Sequence, residues 1–302
     1  MKDQTPFMNN KLKPIGIALI LLFSCSPNDN QLAKTESQPL TEFSNYYSTP
    51  TSTNYFSDFV ADTFRIFQSL PQGYSSDTER KYPLIIILDG NAFFESTVSE
   101  LKFHSFIGFI PKSIVIGIGY KDFMTMDSLR SRDYTYPLAN PEYEMALSGG
   151  AEKFKRFLDE ELIPKLMQNY RINLDQSVIC GHSLGGYFTL YYGLKSIEEN
   201  KFLIKNIVSA SPSLHYNNRF LFDMVNTSNK AGIEVPTNIY ISMGSEDLDD
   251  DESVGILDSF EEQFAVHKYK GLKIKKEEYT NFGHIDAAIP GFMKGLTYIF
   301  EK

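Results

Sequence analysis

The segment Val178-Ile179-Cys180-Gly181-His182-Ser183-Leu184-Gly185-Gly186-Tyr187 sets a serine in a G-x-S-x-G pattern. An apolar run precedes it and a helix-compatible stretch, Tyr187 to Lys195, follows. Attack on an acyl carbon suits this spacing, because Gly181 and Gly185 remove side chains that would collide at a strained strand-to-helix turn and Ser183 Oγ is left facing outward. A helix starting there aims the Leu184 N–H and a positive helix end at a developing oxyanion. A phosphate-binding loop would want the lysine of GxxxxGK[ST], which is absent. Cys180, one step inside the strand, reads as a small apolar core residue. His182 should point to the other side of the turn, which makes it a poor base.

A serine hydroxyl needs an imidazole to take its proton, and the imidazole needs a carboxylate to hold its tautomer. Three histidines follow Ser183: His215, His267 and His284. His284 lies in Tyr279-Thr280-Asn281-Phe282-Gly283-His284, a loop between an expected strand and the last helix, from which an imidazole can reach back. His267 falls in a charged helical stretch, and His215 follows Ser211-Pro212-Ser213 at a strand end, where it could line a pocket. The acid is expected past the strand Asn238 to Met243, in Gly244-Ser245-Glu246-Asp247. Asp247 is the first choice and Glu246 the runner-up. The rest of the acidic run, Asp249 to Glu252, reads as a solvated helix start. Calcium binding is disfavoured because the EF-hand glycine is missing. A second oxyanion donor is expected in Leu88-Asp89-Gly90-Asn91-Ala92, from the Asn91 backbone N–H or, one register away, Gly90.

The elements that must position these residues alternate. Phe64 to Leu70 reads as a strand closed by Pro71-Gln72-Gly73, and Pro83 to Leu88 and Ile114 to Ile118 as strands covered on both faces. Ser177 to Gly181, Asn206 to Ala210 and Asn238 to Met243 repeat the pattern. Helices are expected over Glu95 to Phe109 and along the stripe Phe154, Phe157, Leu158, Leu162, Leu166, with a kink at Pro164. Strands alternating with helices mean a mostly parallel sheet covered on both faces, in one α/β domain over residues 58–302.

Composition narrows the function classes. Of 302 residues, 42% are hydrophobic and 22% charged, enough for a large core. The net charge of −9 disfavours nucleic acid as a partner. Two cysteines and five histidines, with neither CxxC nor HExxH, argue against a metal site and a disulfide scaffold. The 24 Phe and 18 Tyr allow an aromatic-lined pocket, although most rings will be core.

The N-terminus reads as an address. Lys11 and Lys13 precede the apolar run Ile15 to Phe23, too short to span a bilayer and suited to a signal peptide over residues 1–24, with Met8 as an alternative start. Leu22-Phe23-Ser24-Cys25 resembles a bacterial lipobox, although Phe23 replaces its usual small residue. Cys25 is therefore the candidate lipidation site, which implies a lipid-anchored protein of a bacterial cell envelope. Residues 25–57 read as the lipidated cysteine and a polar tether, whose Tyr46, Tyr47, Tyr55 and Phe56 could instead dock as a first strand.

YPLIIILDGNAFF, RSRDYTYP, VICGHSLGGYFTLYYGL, VSASPSL, YISMGSED and NFGHIDAAIPGFMKGLTYIF together resemble the esterase family of α/β hydrolases that includes esterase D, feruloyl and acetyl-xylan esterases, antigen-85-type acyltransferases and siderophore trilactone esterases. LDGN with RSRDYT is most similar to the siderophore-esterase side. The resemblance implies an α/β-hydrolase fold and a cofactor-free serine esterase acting through an acyl-enzyme on a small-molecule ester, a siderophore trilactone or an acylated or feruloylated carbohydrate. An acyltransferase with the same triad, or a surface lipoprotein that binds a glycan or siderophore without turnover, are the alternatives. It also implies that an arginine after the fourth strand holds an aromatic substrate, which makes Arg130 and Arg132 substrate-binding candidates. Pairing with Asp133 or Asp127 is the competing role for both.

Overall fold

The structure is a computed structural model and describes residues 42–143, 145–227, 233–248, 254–267 and 269–301. The expected signal peptide and Cys25 lie outside these residues, as does the stretch Asp249 to Glu252.

Eight strands form one sheet: β1 (Thr51–Ser57), β2 (Asp62–Ser69), β3 (Tyr82–Ile87), β4 (Ile114–Gly119), β5 (Ile172–His182), β6 (Asn206–Ala210), β7 (Asn238–Gly244) and β8 (Lys273–Tyr279). Their spatial order is β1-β2-β4-β3-β5-β6-β7-β8. β1 and β2 run antiparallel at one edge, and every pairing from β4 to β8 is parallel. Among the described residues, eight α-helices connect or follow them: α1 (Gly90–Phe106), α2 (Phe123–Tyr134), α3 (Ala151–Arg156), α4 (Ile163–Asn169), α5 (Leu184–Glu199), α6 (Tyr216–Thr227), α7 (Ile256–His267) and α8 (Ala288–Phe300). None of the described helices is long and apolar enough to cross a membrane.

Strand periodicity divides the core. Alternate residues of a strand face opposite sides of the sheet. Ile85 and Ile87 of β3 join Phe94, Val98 and Leu101 of α1 and Phe292, Met293 and Leu296 of α8 on one face. Leu84 and Ile86 join Phe154, Phe157, Phe188, Tyr191 and Phe260 on the other. Both faces of β3 and β4 are buried, which explains their uninterrupted apolar runs. This is the α/β-hydrolase fold expected from the sequence.

Three local expectations change. The tether does not extend to residue 57: Thr51–Ser57 pairs with β2 along its length, and Tyr47 is buried, its hydroxyl accepting from Ser113 N–H at 3.1 Å. Backbone pairing holds this strand, whose side chains are largely exposed. The helix expected from Glu95 begins at Gly90, directly after a left-handed Asp89. Pro164 lies inside one unbroken helical run from Ala151 to Asn169, and the irregularity there takes the form of the π-helical turn Phe157–Leu162 just before it.

Candidate active site

Ser183 sits between β5 and α5 with φ 58° and ψ −121°, a backbone conformation that a non-glycine residue holds only under strain. The turn is so tight that a Cβ on Gly181 would lie 2.2 Å from Gly185 O, so only glycine fits there. Ser183 N–H donates to Ala210 O at 3.0 Å, which ties the turn to the end of β6. Ser183 Oγ lies 3.5 Å from Ser213 Oγ. Among the described residues no hydrogen bond joins Ser183 Oγ to His284. The expected contact is thus open in this conformation, in which the partner within reach of Ser183 Oγ is Ser213 Oγ at the long limit of a hydrogen bond.

The loops after β7 and β8 are stitched together. Glu246 N–H donates to Phe282 O at 3.1 Å, and Asn281 N–H to Ser245 Oγ at 2.9 Å. A Cβ on Gly244 would meet Phe282 O at 2.1 Å, so the end of β7 must be glycine for the loops to touch. This junction sets His284 Nδ1 3.1 Å from both Asp247 oxygens. Asp247, rather than Glu246, faces the imidazole.

His182 holds the imidazole loop from the elbow side. Its Nε2–H donates to His284 O at 2.7 Å, and the two rings lie 4.6 Å apart. Burial pushes the His182 pKa down to about 4, which keeps the ring neutral and leaves a proton on Nε2 for that bond. Of the other histidines, His267 ends α7. His215 borders an open cavity of about 660 Å³ with Glu142, Tyr143, Asn218 and Arg219, two residues along the chain from Ser213.

The expected second donor also starts a helix. The amides of Gly90 and Asn91 at the start of α1, like Leu184 N–H at the start of α5, have no carbonyl four residues back inside their helix. The Asn91 side chain is committed elsewhere: Oδ1 accepts from Tyr120 N–H at 2.7 Å and Nδ2 donates to Tyr120 O at 3.1 Å. The two helix starts are adjacent, since a Cβ on Gly185 would lie 3.0 Å from Asp89 Oδ2.

The two arginines have internal partners. Arg130 donates from Nε and Nη2 to Asp89 at 3.0 and 2.8 Å, and from Nη2 to His182 O at 3.1 Å. Arg132 pairs with Asp133 and Asp62. Each guanidinium thus has partners within the protein, Asp133 being one of those expected for Arg132 and Asp89 standing in place of the expected Asp133 or Asp127 for Arg130. Asp89 is only 1% exposed, and a buried carboxylate needs such a counter-charge. One side chain thus bridges the loop after β3 and the residue before Ser183. Asp89 stood in the LDGN segment without a role, and no local signal pairs it with Arg130. Cys180 is buried in β5, and burial pushes its thiol pKa up.

A model of the family described as "Putative esterase" matches residues 60–292. The ferri-bacillibactin esterase BesA of Bacillus subtilis is 30% identical over 239 residues, 74% of this chain and 80% of that protein. The apo-salmochelin esterase of Escherichia coli is 26% identical over 232 residues, covering 73% and 70%. Among solved structures, an IroE-like serine hydrolase from Shewanella oneidensis superposes with a TM-score of 0.72 at 23% identity, over 84% of this chain and 80% of that one.

Proposed function

Since this chain belongs to that esterase family and is a serine carboxylic-ester hydrolase, we propose that Ser183, His284 and Asp247 form its catalytic triad and that its substrate is a siderophore trilactone. The observation that carries the triad is the bidentate approach of Asp247 to His284 Nδ1 from a loop bonded to the loop of His284. Asp247 keeps the proton on Nδ1, so that Nε2 is free to accept one. Ser183 Oγ turns from Ser213, loses its proton to His284 Nε2 and attacks the ester carbonyl. The amides of Leu184 and Asn91 receive the oxyanion. His284 then protonates the leaving alkoxide, and water resolves the acyl-enzyme by the same steps in reverse.

Arg130 acts as a positioning residue. Its bonds to Asp89 and His182 O fix the spacing between the starts of α1 and α5, which supply the two amides. A donor pair aimed at the transition state works only if its spacing is held before reaction.

The substrate class is supported by the two curated relatives, whose names specify siderophore esters. The test is hydrolysis by purified protein of a catecholate trilactone, p-nitrophenyl acyl esters and feruloyl sugars. Release of linear trimer and monomer from the trilactone is expected. Turnover of the simple acyl esters alone would remove the siderophore assignment.

The cell-envelope location and the lipid on Cys25 are proposed from the sequence of residues 1–25. Labelling with radioactive palmitate should depend on Cys25. Unchanged labelling of Cys25→Ala would end this reading.

A further inference from the structure

The C-terminal end of α1 leaves several apolar side chains largely exposed. Phe109 is 58% exposed, and Phe103, Phe106 and Ile107 lie between 38% and 43%. These residues fall within one helix end and the turn after it, so they make a continuous patch rather than scattered single residues. Phe109 also borders an open groove with Phe300 at the end of α8.

The patch lies at the opposite end of the sheet from Ser183. Ser183, Asp247, His284 and Asp89 all follow the C-terminal ends of parallel strands. α1 starts at that end and its 17 residues run back about 25 Å. The neighbouring cavity is bordered by Asn206 and Asn238, the first residues of β6 and β7.

The first described residues lie at this same place. Phe43 packs on Phe103 and Phe106 with ring centroids 5.5 and 6.0 Å apart, and Tyr46 packs edge-on against Phe106 at 5.5 Å. Tyr47 pins the entry to Ser113. Residues 26–41 separate Cys25 from the first described residue and span at most about 55 Å when extended. Their sequence, SPNDNQLAKTESQPLT, has Leu32 and Leu40 as its only large apolar side chains, too few to cover four exposed ones.

We propose that this patch seats on the bilayer that holds the Cys25 lipid, with Phe103, Phe106, Ile107 and Phe109 in the interfacial layer and the active-site mouth turned away from the membrane. The inference rests on the lipid-anchor reading above. Aromatic side chains suit that layer, and an apolar contact beside the lipid fixes how the body is turned on the membrane. With a net charge of −9, the attraction is apolar rather than electrostatic. A substrate would then approach from solution, not through the lipid.

The chain has no tryptophan, so Phe109→Trp installs a lone fluorescent reporter. Phe123→Trp, at a position 56% exposed at the start of α2 beside the other end of the sheet, is the control. The full-length chain, expressed with its own N-terminal segment, is mixed with phosphatidylethanolamine vesicles containing brominated phosphatidylcholine, and its mass reports acylation. The proposal expects a blue shift at position 109 and at least twofold quenching, with neither at position 123. An acylated, vesicle-bound Phe109→Trp chain whose indole stays unquenched overturns the seating and leaves the anchor reading intact. An unacylated chain ends the anchor reading, and quenching or its absence at position 109 still decides the surface. A blue shift without vesicles, together with a dimer in light scattering, would assign the patch to a second copy of the chain and overturn the proposal.

Discussion

His182 Nε2 donates to the carbonyl oxygen of His284 at 2.7 Å, so the residue before the candidate nucleophile holds the loop of the candidate base. The bond spans 102 positions of sequence and requires a proton on His182 Nε2, while burial is what keeps the ring neutral.

The burial of this ring has a pH signature. Burial, the largest influence, pushes the His182 pKa down to about 4 from its ordinary 6.5. Between those values the unfolded chain binds a proton that the folded chain refuses. Stability from this residue is therefore complete above pH 6.5 and is lost as pH falls toward 4, by up to about 3 kcal/mol. Urea unfolding of wild type and His182→Gln at about pH 7 and about pH 4.5 should show a smaller acid loss in the variant. Equal losses would contradict it.

Asp247 and Glu246 are adjacent in sequence, but only Asp247 meets the imidazole. Asp247→Asn should lower kcat by roughly 10³- to 10⁴-fold by favouring the wrong tautomer, with KM little changed. Glu246→Gln should leave kcat near wild type. Steady-state kinetics with a p-nitrophenyl ester separates the two, and a reversed order would move the acid to Glu246.

Arg130 and Asp89 form a buried pair, so removing one partner strands the other charge. Arg130→Ala should cost about 3–5 kcal/mol of stability and depress kcat more than KM. Adding Asp89→Asn should recover much of the stability but not the activity, because the link to His182 O stays broken. A double-mutant cycle by thermal unfolding and kinetics checks both parts.

Gly244 touches the imidazole loop without taking part in chemistry. A Cβ there would sit 2.1 Å from Phe282 O. Gly244→Ala should separate the two loops and cost about 1–3 kcal/mol. The fall in kcat should exceed that of an alanine at Gly108, which lies far from the imidazole loop and where a Cβ meets nothing, the strain of its φ of 82° aside. Parallel kinetics and melting curves measure the difference.

What the sequence made legible was local. The elbow could be read because its glycines, its apolar strand and its helix are contiguous, and β3 and β4 because burial on both faces leaves an unbroken apolar run. Asp247 and His284 could be placed by the order of elements. β1 was harder to read as a strand because its backbone pairs while its side chains stay exposed, so composition resembles a tether. The Arg130 partner was hidden because the ion pair joins residues 41 positions apart and forms only once β3 and α2 are packed. The hold of His182 on His284 has no local signal either, because it depends on the loop after β8 folding back over the elbow.

The central claim is that the Ser183 hydroxyl is activated by His284. Treating the chain with a fluorophosphonate and sequencing the labelled peptide by mass spectrometry tests it most directly. One adduct on Ser183 is predicted, absent in Ser183→Ala and formed at least about a thousandfold more slowly in His284→Ala. An unlabelled wild type, or a His284→Ala variant that reacts at the wild-type rate, would contradict it.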